Sequence, residues 1–233
     1  MLLNIVSSGY ALTKREEPLP MKTSIIIPCH FKHAPLLPIL LDEYARQTVL
    51  PDEIVISLSE TSLVSPEIIF HLQNHEWPFP VHLITSEMRF GDGGNRNRAC
   101  RKATGDILIA HDADDLPHPQ RIEIIKYLFE TYNINHLGHG YIFASDHSFK
   151  LIEHPKDVEF REYGPEYAFD GIDLPIAYGP IAIHRRVFES IQWPEGFSRD
   201  NDKVFNCNVH REFKDIVVVK EPIYLYRSEL TSW

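Results

Sequence analysis

Short apolar runs alternate along this chain with longer segments in which apolar residues recur at helical spacing. The runs predict buried strands at residues 24–27, 53–58, 81–85 and 107–110. The spaced segments predict helices at residues 35–47, 65–74, 95–103 and 119–132. Strands that alternate with helices form parallel sheets with crossover helices. The pattern therefore predicts a single α/β domain with a mostly parallel central sheet flanked by helices.

The second half of the chain repeats this pattern less regularly. We predict four further strands, the last two as edge strands that close the sheet, at residues 141–144, 176–183, 215–219 and 223–227. A helix is predicted to begin at Arg185 and to run through Ile191. The intervening residues 146–173 are polar, aromatic and irregular, and predict no regular element.

The first twenty residues carry little periodicity and precede the first clear strand. We therefore predict an N-terminal extension at residues 1–20 and a folded domain at residues 21–233. Deletion of the extension is expected to leave that domain intact. The alternative is that its apolar residues pack on the sheet or on a second subunit; these are Leu2, Leu3, Ile5 and Val6.

The stretch at residues 90–116 carries the most chemistry. Three glycines at positions 91, 93 and 94 predict a glycine-rich loop, and a basic helix and an apolar strand follow it. The strand delivers Asp112, Asp114 and Asp115 to its carboxyl end, where open α/β sheets bind their ligands. Carboxylates are the ligands that Mg²⁺ and Mn²⁺ prefer, together with phosphate oxygens. A metal-bridged diphosphate beside the basic helix is therefore predicted here, and a solvated acidic loop is the alternative.

The composition of the chain indicates which kinds of partner the protein binds and in which compartment it works. The formal net charge of −10 over 233 residues argues against a nucleic-acid surface, which needs a basic footprint. Three separated cysteines without a C-x-x-C pattern are typical of reduced thiols in a cytoplasmic protein. No apolar run approaches the ~20 residues that span a bilayer, so no transmembrane segment is predicted.

Four ordered segments resemble glycosyltransferase family two: SIIIPCH at 24–30, RNRACRKATGD at 96–106, DADD at 112–115 and GPIAIHRRVFESI at 179–191. The resemblance extends from about residue 22 to residue 227. It implies a GT-A fold and an inverting transfer of sugar from a nucleoside-diphosphate sugar. The expected acceptor is a hydroxyl group of a glycan or other carbohydrate, and the expected cofactor is Mn²⁺ or Mg²⁺.

The resemblance also implies roles for individual residues. Asp114, with Asp112 close by, is expected to hold the metal. The family ends its second strand with an acidic pair, whereas this chain has Ser57, Leu58, Ser59 and Glu60, so only Glu60 offers a carboxylate there. Side chains at Arg98, Arg101 and Lys102 are expected to form a solvated face. The predicted contacts to the nucleotide sugar are Pro28, His30, Glu60, Arg96, Asp112, Ala113 and Gly179.

The resemblance places the catalytic base in the stretch GFSRDNDKVF at 196–205. Aligning the apolar positions Val204 and Phe205 puts Asp202 on the base, with Asp200 as the rival and a helix N-cap as the structural alternative for either. Two other functions stay open. One is a sugar-nucleotide-binding module without activity. The other is an aspartyl phosphatase of the haloacid-dehalogenase type, in which Asp112 would be the nucleophile.

Overall fold

One sheet of nine strands runs through the residues that the structure describes, which are 12–143, 149–163, 177–214 and 216–227 of this computed structural model. The strands are β1 Thr23–Cys29, β2 Glu53–Ser59, β3 Val81–Ser86, β4 Ile107–Ala110, β5 Leu116–Pro117, β6 His136–Phe143, β7 Phe160–Tyr163, β8 Ala182–His184 and β9 Ile216–Tyr226. The helices are α1 Leu37–Ala45, α2 Pro66–Asn74, α3 Asp92–Lys102, α4 Arg121–Thr131, α5 Arg185–Ser190 and α6 Asn201–Phe213. Short 3₁₀ helices occupy Phe31–Leu36, Thr61–Leu63 and Pro155–Asp157.

The strand order along the sheet is β3-β2-β1-β4-β8-β6-β9-β5, and β7 pairs with β9. The first four strands are parallel, as are β6 and β9. Shorter antiparallel ladders join β8 to β4 and to β6, and join β5 and β7 to β9. The predicted α/β domain with a mostly parallel central sheet is therefore confirmed.

The apolar core has two layers, one on each face of the sheet, and successive side chains of β1 point alternately into one and the other. Ile25 and Ile27 point to the layer that contains α1 and α4, whereas Ile26 points to the layer that contains α3, α5 and α6. Both layers exclude solvent almost completely, and a strand buried on both faces reads as a continuous apolar run. This explains why β1, β2 and β4, which are buried on both faces, were predictable from the sequence.

Several predicted boundaries were wrong. The first strand does not stop at Pro28 but includes it, because the ladder to β4 ends at Ile26 and leaves the proline paired only with β2. Gly93 and Gly94 lie in the first turn of α3 rather than in a glycine-rich loop. A Cβ atom on Gly93 would clash with the Pro194 carbonyl, so this glycine allows close packing of the helix rather than a turn.

The C-terminal prediction also needs correction. The two predicted edge strands form one long strand, β9, which lies between β6 and β5 and therefore is not an edge. The predicted strand at 141–144 begins earlier, at His136. Residues 144, 176 and 215 of the predicted strands, residues 146–148 and 164–173 of the irregular stretch, and residues 1–11 lie outside the described residues.

The second half of the predicted N-terminal extension packs against the end of α4. The backbone N–H of Arg15 donates to Thr131 O at 2.9 Å, and Asn133 N–H donates to Thr13 O at 3.0 Å. Leu12 also packs on the apolar core beside α4. Residues 12–20 thus contact the folded domain, whereas the packed alternative for Leu2, Leu3, Ile5 and Val6 stays a prediction, because these residues lie outside the described part of the chain.

Candidate active site

A cleft of about 620 Å³ opens at the carboxyl ends of β1 and β4. It lies where the parallel half of the sheet meets α3 and the start of α6, the usual position of a ligand site in an open α/β sheet. Most of the predicted site residues line it. The lining residues are Pro28, His30, His33, Arg89, Phe90, Gly91, Asp92, Arg96, Asp112, Ala113, Asp114, Asp115, Gly196, Phe197, Ser198, Arg199, Asp202 and Tyr226.

The Arg96 guanidinium joins the two acidic segments of the cleft. Its Nη1 atom lies 2.6 Å from Asp202 Oδ1, and its Nη2 atom lies 2.5 Å from Asp112 Oδ1. The arginine side chain is only 1% exposed, whereas Asp202 is 21% and Asp112 is 30% exposed. The sequence assigned Arg96 to a nucleotide or phosphate contact, and that contact stays a prediction. In the structure the guanidinium charge is directed at two carboxylates, which it holds in position.

Asp202 lies in the first turn of α6, and its carboxylate faces the cleft. Burial raises the pKa of Asp202 to about 6, while Arg96 opposes that shift. A carboxylate with this pKa accepts protons more readily than an ordinary aspartate and is still ionised at neutral pH. Asp200 occupies the N-cap position, but its exposed side chain makes no capping hydrogen bond and does not line the cleft. The geometry therefore favours Asp202 over Asp200 as the candidate for the catalytic base.

The loop after β4 carries the three predicted carboxylates to different environments. Burial and the neighbouring Asp112 raise the pKa of Asp114. The only ion-pair partner of Asp114 within the described part of the chain is His33, whose Nδ1 atom is 3.9 Å from Asp114 Oδ2. A nearly buried carboxylate with so little compensating charge suits a cation. Asp112 and Asp114 thus fit the metal that the sequence predicted.

The described residues contain no group of three or more histidine, cysteine or acidic side chains arranged as a complete metal site. Mg²⁺ and Mn²⁺ do not need one, because Mg²⁺ is usually bound through one or two carboxylates together with phosphate oxygens and water. The donor set of Asp114 and Asp112 is compatible with that mode of binding.

Asp115 is used structurally. Tyr224 donates its hydroxyl to Asp115 Oδ2 at 2.6 Å, and the backbone N–H of Arg227 donates to Oδ1 at 2.7 Å. Arg227 also donates its Nε–H to the Asp114 carbonyl. These bonds tie the acidic loop to β9. Burial, with a smaller contribution from Asp112, raises the pKa of Asp115 to about 8.

Glu60 does not line the cleft. Its backbone is left-handed, with φ of 55°, and its Oε2 atom lies 2.7 Å from His30 Nε2. Burial lowers the pKa of His30 although the Glu60 carboxylate opposes that shift. Glu60 thus holds His30 at the rim, while Pro28, His30 and Ala113 themselves line the cleft. A direct contact of Glu60 with the nucleotide stays a prediction.

Gly179 packs directly against the carboxylates. A Cβ atom there would lie 2.8 Å from Asp112 Oδ2, 2.9 Å from Arg96 Nη2 and 3.2 Å from Asp202 Oδ2. No side chain fits at this position unless these three groups move. Gly179 therefore fixes the spacing of the cleft carboxylates from behind, and it borders a second pocket rather than the main cleft.

The prediction of a solvated basic face on α3 was wrong for Arg98. Its Nη1 atom donates to the buried Ser57 hydroxyl at 3.1 Å, and Nη2 donates to Thr85 O at 3.0 Å. Arg98 thereby anchors α3 to β2 and β3. Arg101 is half exposed and Lys102 is exposed, in agreement with the prediction for those two residues.

Sequence reasoning missed Arg121, which is completely buried at the start of α4. Its guanidinium donates to Ala110 O at 3.1 Å and to Pro180 O at 3.0 Å, so it braces both β4 and the segment of Gly179. It also contacts His111 Nδ1 at 3.1 Å and His139 Nε2 at 3.0 Å. Burial and Arg121 together lower the pKa of His139 to about 3, which keeps this ring neutral.

The position of Arg121 on the apolar face of α4 was the one feature of the sequence that indicated its burial. It lies four residues before Ile125 and seven before Leu128, on the apolar face of α4. An arginine in that position is either an end-of-helix residue that reaches solvent or a buried charge with dedicated acceptors. The sequence alone does not distinguish the two.

Comparisons with known proteins agree with the resemblance seen in the sequence. The family model described as glycosyl transferase family 2 matches residues 24–191. An uncharacterized glycosyltransferase of Bacillus subtilis, YwdF, is 31% identical over 116 residues, which are 50% of this chain and 41% of that protein. An uncharacterized glycosyltransferase of Haemophilus influenzae is 31% identical over 117 residues, 50% of this chain and 37% of that protein. The matched part is therefore less than half the length of either relative.

Solved structures share the fold at low identity. S. aureus TarS 1–349 in complex with UDP-GlcNAc has a TM-score of 0.64 at 16% identity, over 89% of this chain and 59% of that chain. The mannosyltransferase PcManGT from Pyrobaculum calidifontis, in complex with GDP-Man and Mn²⁺, has a TM-score of 0.59 at 19% identity, over 91% and 60%. These likenesses confirm the GT-A fold. The family match is to glycosyltransferases and therefore argues against the phosphatase interpretation. Within the described residues, no helix is both long and apolar enough to cross a membrane.

Proposed function

Because the chain belongs to glycosyl transferase family 2, we propose that it is a metal-dependent inverting glycosyltransferase that moves sugar from a nucleoside-diphosphate donor to a hydroxyl acceptor. The observation that carries this proposal is the bridge through Arg96, which joins Asp202 to Asp112 inside one cleft. In this proposal Asp202 is the proton acceptor and Asp112 is a cation-binding carboxylate, and both line the same cleft. Transfer of a glycosyl group needs both.

Donor binding is assigned to the main cleft. Its volume of about 620 Å³ lies within the range usual for ligands of this size. The loop after β1 presents Pro28 and His30, and Ala113 lies between the two metal-binding carboxylates. We assign these three residues to the nucleotide end of the donor. The metal would be held by Asp114 and Asp112, and it would neutralise the charge of the departing diphosphate.

Asp202 is assigned to the acceptor. As the hydroxyl oxygen of the acceptor bonds to the anomeric carbon, Asp202 takes the hydroxyl proton, and the bond from that carbon to the diphosphate breaks. Attack from the face opposite the diphosphate inverts the anomeric centre. Arg96 holds the Asp202 carboxylate in place by the bond at 2.6 Å.

A binding module without transfer activity is the second candidate function. The observation that favours it is the loss of the acidic pair after β2, where Ser57 and Ser59 are buried and bonded to Asn95 instead. The intact set of Asp112, Asp114 and Asp202 favours the enzyme. In the module, removing the carboxylate of Asp202 would have no chemical consequence.

Metal dependence is tested by donor binding and turnover together. The probes are UDP-GlcNAc and GDP-mannose. A donor together with Mn²⁺ is expected to raise the melting temperature more than the same donor without metal, because ligands that bind only the folded state stabilise it. Asp114→Ala should abolish this increment and lower donor turnover at least about a hundredfold. Arg101→Ala, a change in an exposed residue of α3, is the control. Full turnover in excess EDTA would reject the metal-dependent mechanism.

A further inference from the structure

A second pocket, of about 310 Å³, adjoins the main cleft on the side of β6 and β9. The two spaces share Asp112, Asp115 and Tyr226, so a ligand in one lies beside a ligand in the other. Gly179 forms part of the wall of this pocket, and the Asp202 carboxylate lies directly across that glycine. The pocket therefore opens next to the groups that we assign to transfer.

Tyrosines dominate the lining. Tyr141, Tyr178, Tyr224 and Tyr226 all contribute to it, and Tyr178 is 36% exposed. The rings of Tyr141 and Tyr226 approach edge to face with their centroids 6.0 Å apart. An aromatic ring offers an apolar face, and its hydroxyl offers a polar edge. A ligand that matches this surface has apolar faces as well as hydrogen-bonding groups.

The charges of the lining limit the ligand further. Among the described residues that line the pocket there is no lysine, arginine or histidine, so this described lining offers no cation to a phosphate or a carboxylate. The two carboxylates are already engaged. Asp112 is paired with Arg96 at 2.5 Å, and the oxygens of Asp115 accept from Tyr224 and Arg227. Asp115 is committed to these bonds, and Asp112 is committed to Arg96 and to the metal that we assign to the main cleft, so neither carboxylate is left for a cationic organic ligand in this pocket.

A purely apolar ligand fits no better, because it would remove the partly exposed Asp112 carboxylate and the tyrosine edges from water without forming a hydrogen bond to them. A sugar ring satisfies both requirements, since its C–H face packs on an aromatic ring while its hydroxyls bond at the edge. We propose that this pocket binds a neutral sugar ring of the acceptor, stacked on Tyr141 and Tyr226. This inference rests on the proposed function, and it specifies the acceptor as a carbohydrate without charge on the bound ring.

Saturation-transfer NMR on the full chain tests the pocket directly. The probes are the methyl glycosides of glucose, galactose, mannose and N-acetylglucosamine, with choline and inorganic phosphate as the charged alternatives. At least one glycoside is expected to bind. Tyr141→Ala should weaken that binding at least about fivefold, and Tyr141→Phe, which keeps the ring, should retain most of it. Phe70→Ala, at a residue of α2 that is 68% exposed, is the control and should bind as the wild type does.

The inference is overturned if no glycoside binds, if binding survives Tyr141→Ala, or if choline or phosphate occupies the pocket instead. Should Tyr141→Ala fail to fold, the exposed Tyr178→Ala takes its place with the same expectation. Thermal shifts with UDP-GlcNAc or GDP-mannose and Mn²⁺ separate this inference from the proposed function, because Tyr141 does not line the main cleft. If glycosides bind at Tyr141 but the wild type binds neither donor nor metal, the proposed function fails and the sugar pocket remains.

Discussion

At the scale of single residues, the site depends on charges that are buried and paired. The guanidinium of Arg96 is 1% exposed and serves two carboxylates at once. Although burial by itself lowers the pKa of Arg96, Asp202 and Asp112 raise it on balance, so the group stays charged. Loss of one partner of a buried ion pair costs about 3–5 kcal/mol, because the remaining charge is left uncompensated. Arg96 should therefore tolerate substitution worse than any exposed arginine of α3.

The raised pKa of Asp115 predicts how the stability of the protein depends on pH. Its pKa is raised from the ordinary 3.8 to about 8, mainly by burial, so between these values the folded protein binds more protons than the unfolded chain. The contribution of Asp115 to the free energy of unfolding is therefore most favourable at low pH, and it is lost as the pH rises toward 8. Asp115→Asn removes the titration while keeping a hydrogen bond to Arg227. In EDTA, the variant should melt higher than the wild type at pH 8, with a smaller difference at pH 5. An equal difference at both values would contradict the shift.

At the scale of elements, β4, the segment before β8 and α6 meet at Gly179. The apolar pattern predicted β4 and its carboxylates because that strand is buried on both faces. It gave no signal for the contacts of Gly179, which depend on the crossing of three elements far apart in sequence. The burial of Arg121 was equally unpredictable, since its acceptors Ala110 O and Pro180 O come from other parts of the fold.

Substitution of Gly179 should separate activity from stability. The atoms that an alanine Cβ would meet, at 2.8–3.2 Å, are the ends of the Asp112, Arg96 and Asp202 side chains, which can shift without unfolding the domain. Gly179→Ala should therefore change the melting temperature by only a few degrees, yet lower turnover of the donor at least about tenfold, because misplaced catalytic groups are costly.

The matched control is Gly138→Ala in β6, where a Cβ atom would meet only side-chain atoms at 3.7 and 3.9 Å. It should keep both stability and turnover. Turnover of Gly179→Ala equal to that of the control would contradict the role of Gly179 as a spacer for the carboxylates.

At the scale of the whole molecule, contacts within the layer that contains α3 and α6 hold two parts of the site together. Asn97 of α3 exchanges hydrogen bonds with the backbone of Trp193 at 2.9 and 3.0 Å, and the Trp193 ring stacks on Phe205 of α6 at 3.7 Å. The start of α6, with Asp202, is thereby fixed against α3, with Arg96. The sequence predicted both segments from the family resemblance, but it did not predict the tryptophan that joins them.

Residues 12–20 of the N-terminal extension contact the folded domain. Residues 12–20 bond to the end of α4, so we expect deletion of residues 1–20 to lower the melting temperature by about 5 °C or more, equivalent to roughly 1–2 kcal/mol for a domain of this size. The domain should still fold, because its core lies in the sheet and helices that follow. An unchanged melting temperature would show that residues 12–20 do not contribute to the stability of the domain.

The role of Asp202 as the base is tested most directly by comparing Asp202→Asn with Asp200→Asn. An asparagine at 202 still accepts the bond from Arg96 but cannot take a proton. The measurement is release of nucleoside diphosphate from the donor, with water as acceptor when no other is supplied, alongside donor affinity by thermal shift. We expect Asp202→Asn to fold and to bind donor within about twofold of the wild type, and to lose at least about a hundredfold in turnover. Asp200→Asn should remain active. Full turnover by Asp202→Asn, or a dead Asp200→Asn beside an active Asp202→Asn, would contradict the assignment.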